Sequence, residues 1–401
     1  MARRFRGAGR GIGVAGCLTI TLLAGACTEH QTPAAGDPSA ATTAGSDAGQ
    51  QPGTAQLPPI KHVFVIVLEN KGYATTFGPE SPAPYLADML AKQGALLTQY
   101  YGIGHFSLDN YIAMVSGQAP NKQTQADCGR FTEFVQTGTA ADGQAIGEGC
   151  VYPAGVRTIA DQLAAHSLTW KGYMEDMGND PGRESATCGH AVIGARDSTQ
   201  RATPKDQYAA KHDPFVYFHS IIDSPSCQSN VVPLTRLEAD LKSAATTPNY
   251  SFISPSLCHD GHDTPCVNGE PGGLTSANKF LAEWVPRIVQ SPAFRDDGLL
   301  IVTFDEATAN DATACCNEQP GPNTKKPGAT GPGGGRIGAV LLSPFITPGT
   351  VSNTPYNHYS MLKSVEDLFQ LPHLGYAGQS GLVGFGSDVY TKTKPAAEAT
   401  R

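Results

Sequence analysis

The chain lacks an excess of basic residues. Its 401 residues include 28 Lys and Arg against 36 Asp and Glu, which gives a formal net charge of −8. A protein that binds nucleic acid normally carries a basic patch or stripe, so the sequence predicts no nucleic-acid partner. The mild acidity is typical of a soluble surface and carries no information about the fold.

Two motifs are also missing. No CxxC pair is present, so nothing in the cysteine spacing indicates a zinc site. The glycine-rich stretch 328–335 follows no predicted strand and contains neither Lys-Ser nor Lys-Thr. It is therefore interpreted as a surface loop rather than as a phosphate-binding loop.

The N-terminal segment has the features of an export signal. Four arginines precede a short apolar stretch at about 12–23, and Ala24-Gly25-Ala26-Cys27 follows. This order predicts a cleaved signal peptide rather than a membrane span. We expect a lipoprotein-type signal over 1–27 with a lipid on Cys27, and ordinary cleavage nearby is the alternative. The protein is thus expected to be exported, either anchored through that lipid or secreted.

Residues 28–58 form the next segment. They are rich in Ala, Gly, Thr, Pro, Ser and Gln and poor in apolar residues. Such a composition cannot bury a core, so we expect a flexible linker. The catalytic domain is then expected to cover 59–395.

The cysteine count favours disulfides. Eight of the ten cysteines lie beyond the signal segment. An even number in an exported chain favours disulfides over metal ligands, although eight cysteines leave the connectivity open. Short loops suggest Cys128–Cys150 and Cys258–Cys266. Because adjacent cysteines bond to each other only with strain, we expect Cys315 and Cys316 to pair with Cys188 and Cys227.

The body of the chain alternates strand and helix patterns. Strands are predicted at 62–68, 168–174, 250–254, 299–304 and 337–343, and helices at 84–92, 108–116, 157–165, 234–244, 275–289 and 359–369. This alternation predicts an α/β fold with a doubly wound, mostly parallel sheet flanked by helices. Two long irregular stretches, about 118–155 and 176–230, interrupt the pattern, and we expect disulfides to staple them.

Two acidic pairs follow the strongest strand patterns. Glu69-Asn70 follows strand 62–68, and Asp305-Glu306 follows strand 299–304. Ligands bind at the carboxyl ends of strands in such sheets, so both pairs are expected to open on one crevice. Oxygen donors gathered there indicate a hard divalent cation.

A possible nucleophile lies where a loop becomes a helix. Ser107 could simply cap the helix, since serine is favoured at that position. The alternative is a nucleophile placed at a helix N-terminus that attracts a phosphate and activated by a nearby metal. Asn110, one turn later, could then donate to a phosphoryl oxygen.

A second polar cluster follows strand 250–254. Cys258-His259-Asp260-Gly261-His262-Asp263 is either a polar loop closed by a disulfide or a group that binds and protonates phosphate. His358 stands before the last helix, Glu175 follows a strand, and His212 follows Lys211. These residues are further candidates for the same site.

Several ordered motifs together resemble a known family. They are Leu-Glu-Asn after a strand, His-x-Ser-x-x-Asn-Tyr, Lys-Gly-Tyr-Met-Glu-Asp, Lys-His-x-Pro-Phe, Asp-x-His-Asp, Thr-Phe-Asp-Glu and Asn-His-Tyr-Ser, spread over about 60–376. In this order the chain resembles the bacterial phosphoesterase family of the alkaline-phosphatase superfamily, which contains phospholipases C and secreted acid phosphatases. The resemblance implies an alkaline-phosphatase-like fold.

The resemblance also implies roles for individual residues. Ser107 would be the nucleophile, and His262 and His358 would transfer protons. One divalent ion, Ca²⁺ or Mg²⁺ rather than Zn²⁺, would be held by oxygen ligands from Glu69, Asn70, Ser107, Asp305 and Glu306. The substrate would be contacted by His105, Asn110, Glu175, His212 and Asp260.

The implied activity is hydrolysis of phosphate monoesters through a phosphoserine intermediate, as in acid phosphatases, with phosphoinositides among the candidate substrates. The alternatives are a phosphodiesterase of the phospholipase C type and a non-catalytic surface lipoprotein. One departure from the family pattern is Asp109, which stands where many relatives carry proline. It would add a negative charge beside Ser107.

Overall fold

The computed structural model describes residues 57–392. The predicted signal peptide 1–27, its Cys27 and nearly all of the predicted linker 28–58 lie outside the described residues, as do 393–395 at the end of the predicted domain. Within 57–392, no helix is long and apolar enough to cross a membrane.

Residues 57–392 form twelve strands. In chain order, β1 to β12 are His62–Leu68, Ala95–Leu97, Tyr100–Tyr101, Val135–Thr139, Ala145–Glu148, Trp170–Met174, Val231–Pro233, Tyr250–Ser254, Gly298–Phe304, Ala339–Leu342, Thr350–Ser352 and Tyr356–Asn357.

Eight of these strands build the main sheet, in the order β11-β2-β10-β9-β1-β8-β6-β7. The central strand β1 is parallel to both β8 and β9. Only β10 runs antiparallel to its neighbours β2 and β9. The chain therefore builds a mostly parallel sheet outward on both sides of β1, as the alternating pattern predicts.

Ten α-helices accompany the strands in the described part. In chain order, α1 to α10 are Tyr73–Phe77, Ala91–Gln93, Ser107–Ser116, Ile159–Ala165, His219–Ile222, Ser226–Asn230, Leu237–Asp240, Gly273–Val289, Pro292–Asp297 and His358–Phe369. A π-helical turn, Tyr85–Leu90, leads into α2, and 3₁₀ turns cover Thr124–Ala126, Ala210–His212, Pro214–Tyr217, Leu234–Arg236 and Gly375–Gly378.

The burial of the central strands explains why the sequence predicts them. Every residue of β1, β8 and β9 is buried. Strands covered on both faces need apolar side chains at consecutive positions, which gives the continuous runs seen in the sequence. Glu69, Pro255 and Asp305 directly follow the carboxyl ends of these three parallel strands. These residues therefore lie along one edge of the sheet.

One predicted helix is largely wrong. The expected helix 234–244 is a 3₁₀ turn followed by the single turn of α7. The hydroxyls of Thr246 and Thr247 donate to the carbonyl of Asp240, each at 2.9 Å. These side-chain bonds compete with helix continuation and end it early.

The disulfides confirm two predictions and correct the third. Cys128–Cys150 and Cys258–Cys266 form as expected. The prediction for the remaining four is wrong: Cys188 pairs with Cys227, and Cys315 pairs with Cys316. Cys227 lies on α6 just before β7, and the N–H of Cys188 donates to Val231 of β7 at 2.9 Å. That backbone contact brings Cys188 and Cys227 together.

Candidate active site

The two acidic pairs meet because the strands that carry them are adjacent and in register. Leu68 of β1 pairs with Phe304 of β9. Directly beyond them, the N–H of Asn70 donates to Asp305 Oδ1 at 2.9 Å. Asn70 itself has φ +53, which turns the chain away at the strand end. The pairs thus share one crevice at the carboxyl edge of the sheet.

Glu69 is the centre of the site. It is buried, and its Oε2 accepts a 2.6 Å hydrogen bond from Ser107 Oγ. Its Oε1 accepts from the Tyr111 hydroxyl at 2.8 Å and lies 3.3 Å from His212 Nε2. Burial alone would raise the pKa of Glu69, but His212, Lys211 and the Ser107 hydroxyl outweigh it and lower that pKa to about 2. Glu69 is therefore a carboxylate throughout the physiological range.

Asp305 and Glu306 point in different directions. Asp305 Oδ1 accepts from the N–H groups of Asn70 and Glu306, whereas its buried Oδ2 has no hydrogen-bond partner. Burial raises the pKa of Asp305 well above its usual value. Glu306 Oε2 instead contacts His105 Nδ1 and accepts from the Phe106 N–H at 3.3 Å. Glu306 thus orders the loop before Ser107, and Asp305 is left with a free oxygen.

Glu69, His212 and Asp260 form a compact donor group. One ligand atom from each lies within 4.8 Å of the others, and all three residues are buried. Asp260 Oδ2 lies 3.7 Å from His212 Nδ1. The carbonyl of Asp260 also accepts a hydrogen bond from the Glu69 N–H at 2.7 Å. This bond fixes the loop after β8 against the carboxyl end of β1.

These residues fit a divalent cation. Asp260 Oδ2, Asp305 Oδ2 and His212 Nδ1 are buried without a hydrogen-bond partner, and His212 Nε2 has only its 3.3 Å contact with Glu69 Oε1. Leaving such groups unsatisfied is costly, so a ligand is expected to satisfy them. The donors are mainly carboxylate oxygens. The predicted all-oxygen set included neither Asp260 nor His212, which were predicted to contact the substrate, and that set stays a prediction.

A partly buried cation, Lys211, lies near the start of α3. Lys211 Nζ is 3.1 Å from Asp127 Oδ2, and Asp127 Oδ1 accepts from the Leu108 N–H at the start of α3. Burial opposes the charge of Lys211, but Asp127, Glu69 and Asp260 outweigh it and raise the pKa of Lys211. A permanent positive charge therefore stands between the helix N-terminus and the carboxylates.

The loop before Ser107 is held in a strained shape. Phe106 has φ +81 and ψ +139, a region that side chains with a Cβ rarely adopt. Such a residue costs about 1–3 kcal/mol and persists only when its surroundings enforce it. Here Asn110 enforces it: its Oδ1 accepts from the N–H groups of Ile103 and Gly104, and its Nδ2 donates to the carbonyls of Gly104 and Phe106, all within 3.2 Å. Its contact with phosphate stays a prediction.

The two candidate proton donors differ in environment. His358 is fully buried, and its Nε2 lies 2.5 Å from the Asp305 carbonyl while its Nδ1 lies 3.2 Å from the Tyr100 hydroxyl. Burial lowers the pKa of His358 to about 4. The His262 side chain is 54% exposed, and its hydrogen bond to Asp263 raises its pKa. His262 can therefore carry a transferable proton near neutral pH, whereas His358 supports the backbone beneath Asp305.

Two other predicted residues lie at the margins. Glu175 accepts from the Ser256 N–H at 2.8 Å and lies 2.9 Å from His259 Nδ1. It therefore braces the loop that carries Asp260. His105 lies between Glu306 and the Asp311 carbonyl, the latter at 2.9 Å from its Nε2.

Asp109 does not face the Ser107 hydroxyl. A Cβ placed on Gly104 would lie 2.5 Å from Asp109 Oδ1, so the carboxyl packs beneath the loop. Burial raises the pKa of Asp109 well above its usual value, and its protonated form is favoured. The expected negative charge beside the nucleophile is thus reduced.

Three contributors were missed from the sequence. Tyr111 could have been found, because it lies four residues after Ser107 and so shares its helix face. Lys71 directly follows Asn70, and the charges of Asp260, Asp305 and Glu69 act on its ammonium group. Asp127 had no local signal, since it reaches α3 through the tertiary fold.

Comparison with known proteins places this geometry in context. The model of the Phosphoesterase family matches residues 80–372. The chain is 27% identical over 318 residues to a probable acid phosphatase of Kluyveromyces lactis, covering 79% of this chain and 59% of that protein. It is 24% identical over 321 residues to a phosphatidylinositol-3-phosphatase of Mycobacterium tuberculosis, covering 80% of this chain and 81% of that protein.

Solved structures give more distant likenesses. A protein in the alkaline phosphatase superfamily from Vibrio parahaemolyticus matches with a TM-score of 0.43 and 13% identity, over 81% of this chain and 72% of that one. A sulfatase from Pseudoalteromonas sp. matches with a TM-score of 0.44 and 11% identity, over 84% of this chain and 72% of that one. Since the family model covers most of the chain, the chain belongs to the Phosphoesterase family.

Proposed function

We propose that this protein is a metal-dependent phosphatase that hydrolyses phosphate monoesters with Ser107 as its nucleophile. The observation that carries the proposal is the Ser107 hydroxyl, buried at the N-terminus of α3 and donating to Glu69 Oε2 at 2.6 Å. The names of relatives such as the acid phosphatase of Kluyveromyces lactis support the same reaction class.

The donor group would hold one divalent cation. Glu69, His212 and Asp260 lie close enough to share it, and Asp305 Oδ2 is a further buried oxygen without a hydrogen-bond partner. When bound, the cation would supply positive charge that lowers the pKa of a nearby hydroxyl and offsets charge on a phosphoryl oxygen. Because carboxylate oxygens predominate, we propose Ca²⁺ or Mg²⁺ ahead of Zn²⁺.

The protein's own groups orient the first step. Glu69 holds the Ser107 hydroxyl in place, and Lys211 with the positive end of α3 attracts the phosphate group. Ser107 Oγ passes its proton to Glu69 Oε2, which accepts its hydrogen bond. A bond forms between Ser107 Oγ and phosphorus as the bond from phosphorus to the leaving oxygen breaks. The departing alcohol takes a proton from His262, whose exposed imidazole has a pKa raised by its hydrogen bond to Asp263.

The second step releases phosphate. Water attacks the phosphoserine with His262, now neutral, accepting its proton. The bond from phosphorus to Ser107 Oγ breaks, Ser107 Oγ takes its proton back from Glu69 Oε2, and phosphate leaves. Lys211 offsets the charge of the phosphate in both steps, because its positive charge is permanent.

We also propose that the protein acts outside the cytoplasm. The predicted signal 1–27, the linker 28–58 and a lipid on Cys27 would tether the domain to a membrane. The name of the Mycobacterium tuberculosis relative makes phosphoinositide monophosphates a reasonable first set of substrates.

The decisive test compares a chromogenic phosphate monoester with its matching diester, using protein produced under oxidising conditions. We expect monoester turnover that chelators abolish, little diester turnover, and loss of activity in Ser107→Ala. Ser116→Ala is the matched control, because Ser116 lies on the same helix and bonds only to the Ile112 carbonyl and the Gln118 N–H. Diester preference, or full activity in Ser107→Ala, would contradict the proposal.

A further inference from the structure

One side chain at the candidate site has no role in the chemistry above. Every residue from 102 to 121 is buried except Phe106, whose side chain is 47% exposed. Phe106 directly precedes Ser107. Among the residues that the structure describes, no aromatic ring pairs with it.

The exposure is forced by the backbone. Phe106 has φ +81, and its N–H and carbonyl are fixed by Glu306 and Asn110 at 3.3 and 3.2 Å. Glycine would adopt this conformation without a Cβ penalty. A phenylalanine here bears that penalty and stays about half exposed to water. Its apolar surface therefore contributes little to the stability of the free protein.

The position of the ring relates it to one part of the substrate. In-line attack by Ser107 Oγ requires the leaving group on the far side of phosphorus, directed out of the crevice. The inner groups are ionisable and polar, namely Glu69, Asp260 and Lys211. Phe106 is the large apolar side chain that directly precedes Ser107 and remains open to solvent.

We infer that Phe106 selects phosphate monoesters whose leaving group carries an apolar body, a ring or hydrocarbon, next to the ester oxygen. The inference rests on the proposed function and adds to it a substrate class. The Phe106 ring covers that apolar body when the ester binds, and the buried area favours such esters over small polar ones such as glycerol phosphate.

The test is the ratio of kcat/KM for phenyl phosphate to kcat/KM for glycerol 2-phosphate. In Phe106→Ala we expect this ratio to fall roughly tenfold through KM for phenyl phosphate, the size that about 50 Å² of lost apolar contact produces. Phe106→Gly accepts the positive φ and should fold, so it should show the same fall. Met89→Ala is the control, because Met89 is 49% exposed on the turn before α2, away from Ser107.

The outcomes separate the two proposals. An unchanged ratio in both Phe106 variants, whether the two rates fall together or not at all, would overturn the role of Phe106 and leave the phosphatase proposal standing. Wild-type protein that hydrolyses neither ester would overturn the phosphatase proposal and the inference with it. Phe106→Leu distinguishes two kinds of contact with the substrate. If the ratio of kcat/KM values is retained, the contact is hydrocarbon packing, and if the ratio is lost, the contact is ring stacking. Either outcome supports selection by Phe106.

Discussion

At the scale of single residues, the site depends on charges that are buried together. Glu69, Asp260 and Asp305 would repel one another in a closed crevice. The fold offsets part of this by bringing the positive charge of Lys211 to the same place. The free oxygens of Asp260 and Asp305 mark where a cation would add the remaining positive charge.

Asp305 offers a test of the metal proposal. Asp305→Asn keeps the shape and the acceptor for the Asn70 N–H but removes a carboxylate oxygen, so both the metal content and the hydrolysis rate should fall at least about tenfold. Metal per chain is measured by mass spectrometry after dialysis. Asp297→Asn is the control. Asp297 directly precedes β9, at the end of the strand opposite to Asp305, and it pairs with His62. Unchanged metal content in Asp305→Asn would contradict the assignment.

Lys211 offers a test of the phosphate-binding charge. Lys211→Met keeps the apolar stem and removes the ammonium group beside Asp127, so KM for a phosphate monoester should rise about tenfold or more. Lys171→Met is the matched control, because Lys171 is bound to Asp240 at 2.6 Å in another part of the fold. Steady-state kinetics of both variants decide the point, and equal effects would mean that Lys211 acts only through stability.

Residue chemistry was partly readable from the sequence. Glu69 and Asp305 were found because each follows a buried apolar strand. The pairing of Asp127 with Lys211 was not, since 84 positions separate them and only the tertiary fold joins them. The sequence also could not show that Glu306 contacts His105, because a carboxylate at a strand end can turn to either side.

At the scale of elements, α3 and its preceding loop form one unit. Asn110 bonds to four backbone groups of residues 103–106. The helix thereby holds the strained Phe106 and places Ser107 at its first position. The arrangement joins Ser107, the proposed nucleophile, rigidly to the helix.

Asn110 allows loop positioning to be separated from substrate contact. Asn110→Ala leaves buried backbone groups unsatisfied, so we expect a loss of about 2–4 kcal/mol in the free energy of unfolding and faster amide exchange at 103–106. Asn110→Asp keeps the two bonds accepted by Oδ1 and should lose less. A raised KM with unchanged stability and exchange would contradict this role and favour contact with phosphate.

The sequence predicted the bounds of the fully buried strands β1 and β8 correctly. The predicted β8 coincides with the observed Tyr250–Ser254, and β1 with His62–Leu68. The predicted helix 234–244 is wrong because the hydroxyls of Thr246 and Thr247, which follow the helical pattern, donate to the Asp240 carbonyl. Long loops such as 176–230 are set by disulfides and distant contacts, which periodicity does not reveal.

At the scale of the whole molecule, buried acids make stability depend on pH. Burial raises the pKa of Glu184 and Asp213 to about 7 and of Glu366 to about 9. The folded state holds these protons more tightly than the unfolded chain, so the stabilisation is present at low pH and is lost as pH rises through the folded values. His358, with its pKa lowered to about 4, acts in the opposite direction, but only below about pH 6.5. Tm should therefore fall between about pH 6.5 and 8.5.

Glu366 isolates one contribution to this slope. Its Oε1 accepts from the Leu374 N–H at 2.9 Å, an acceptor that glutamine retains. Glu366→Gln should therefore reduce the loss of Tm across that range, measured by thermal unfolding at each pH. Glu283→Gln is the control, since Glu283 is exposed on α8. A slope as steep as in the wild type would show that Glu366 does not bind the proton in the folded state.

The central claim is that Ser107 becomes covalently phosphorylated. The most direct measurement mixes the protein with a phosphate monoester, quenches it with acid within one turnover and identifies the modified peptide by mass spectrometry. The account predicts one phosphoryl group on Ser107, and none in Ser107→Ala. Turnover without any phosphoryl group on Ser107, or with the group on another residue, would contradict it.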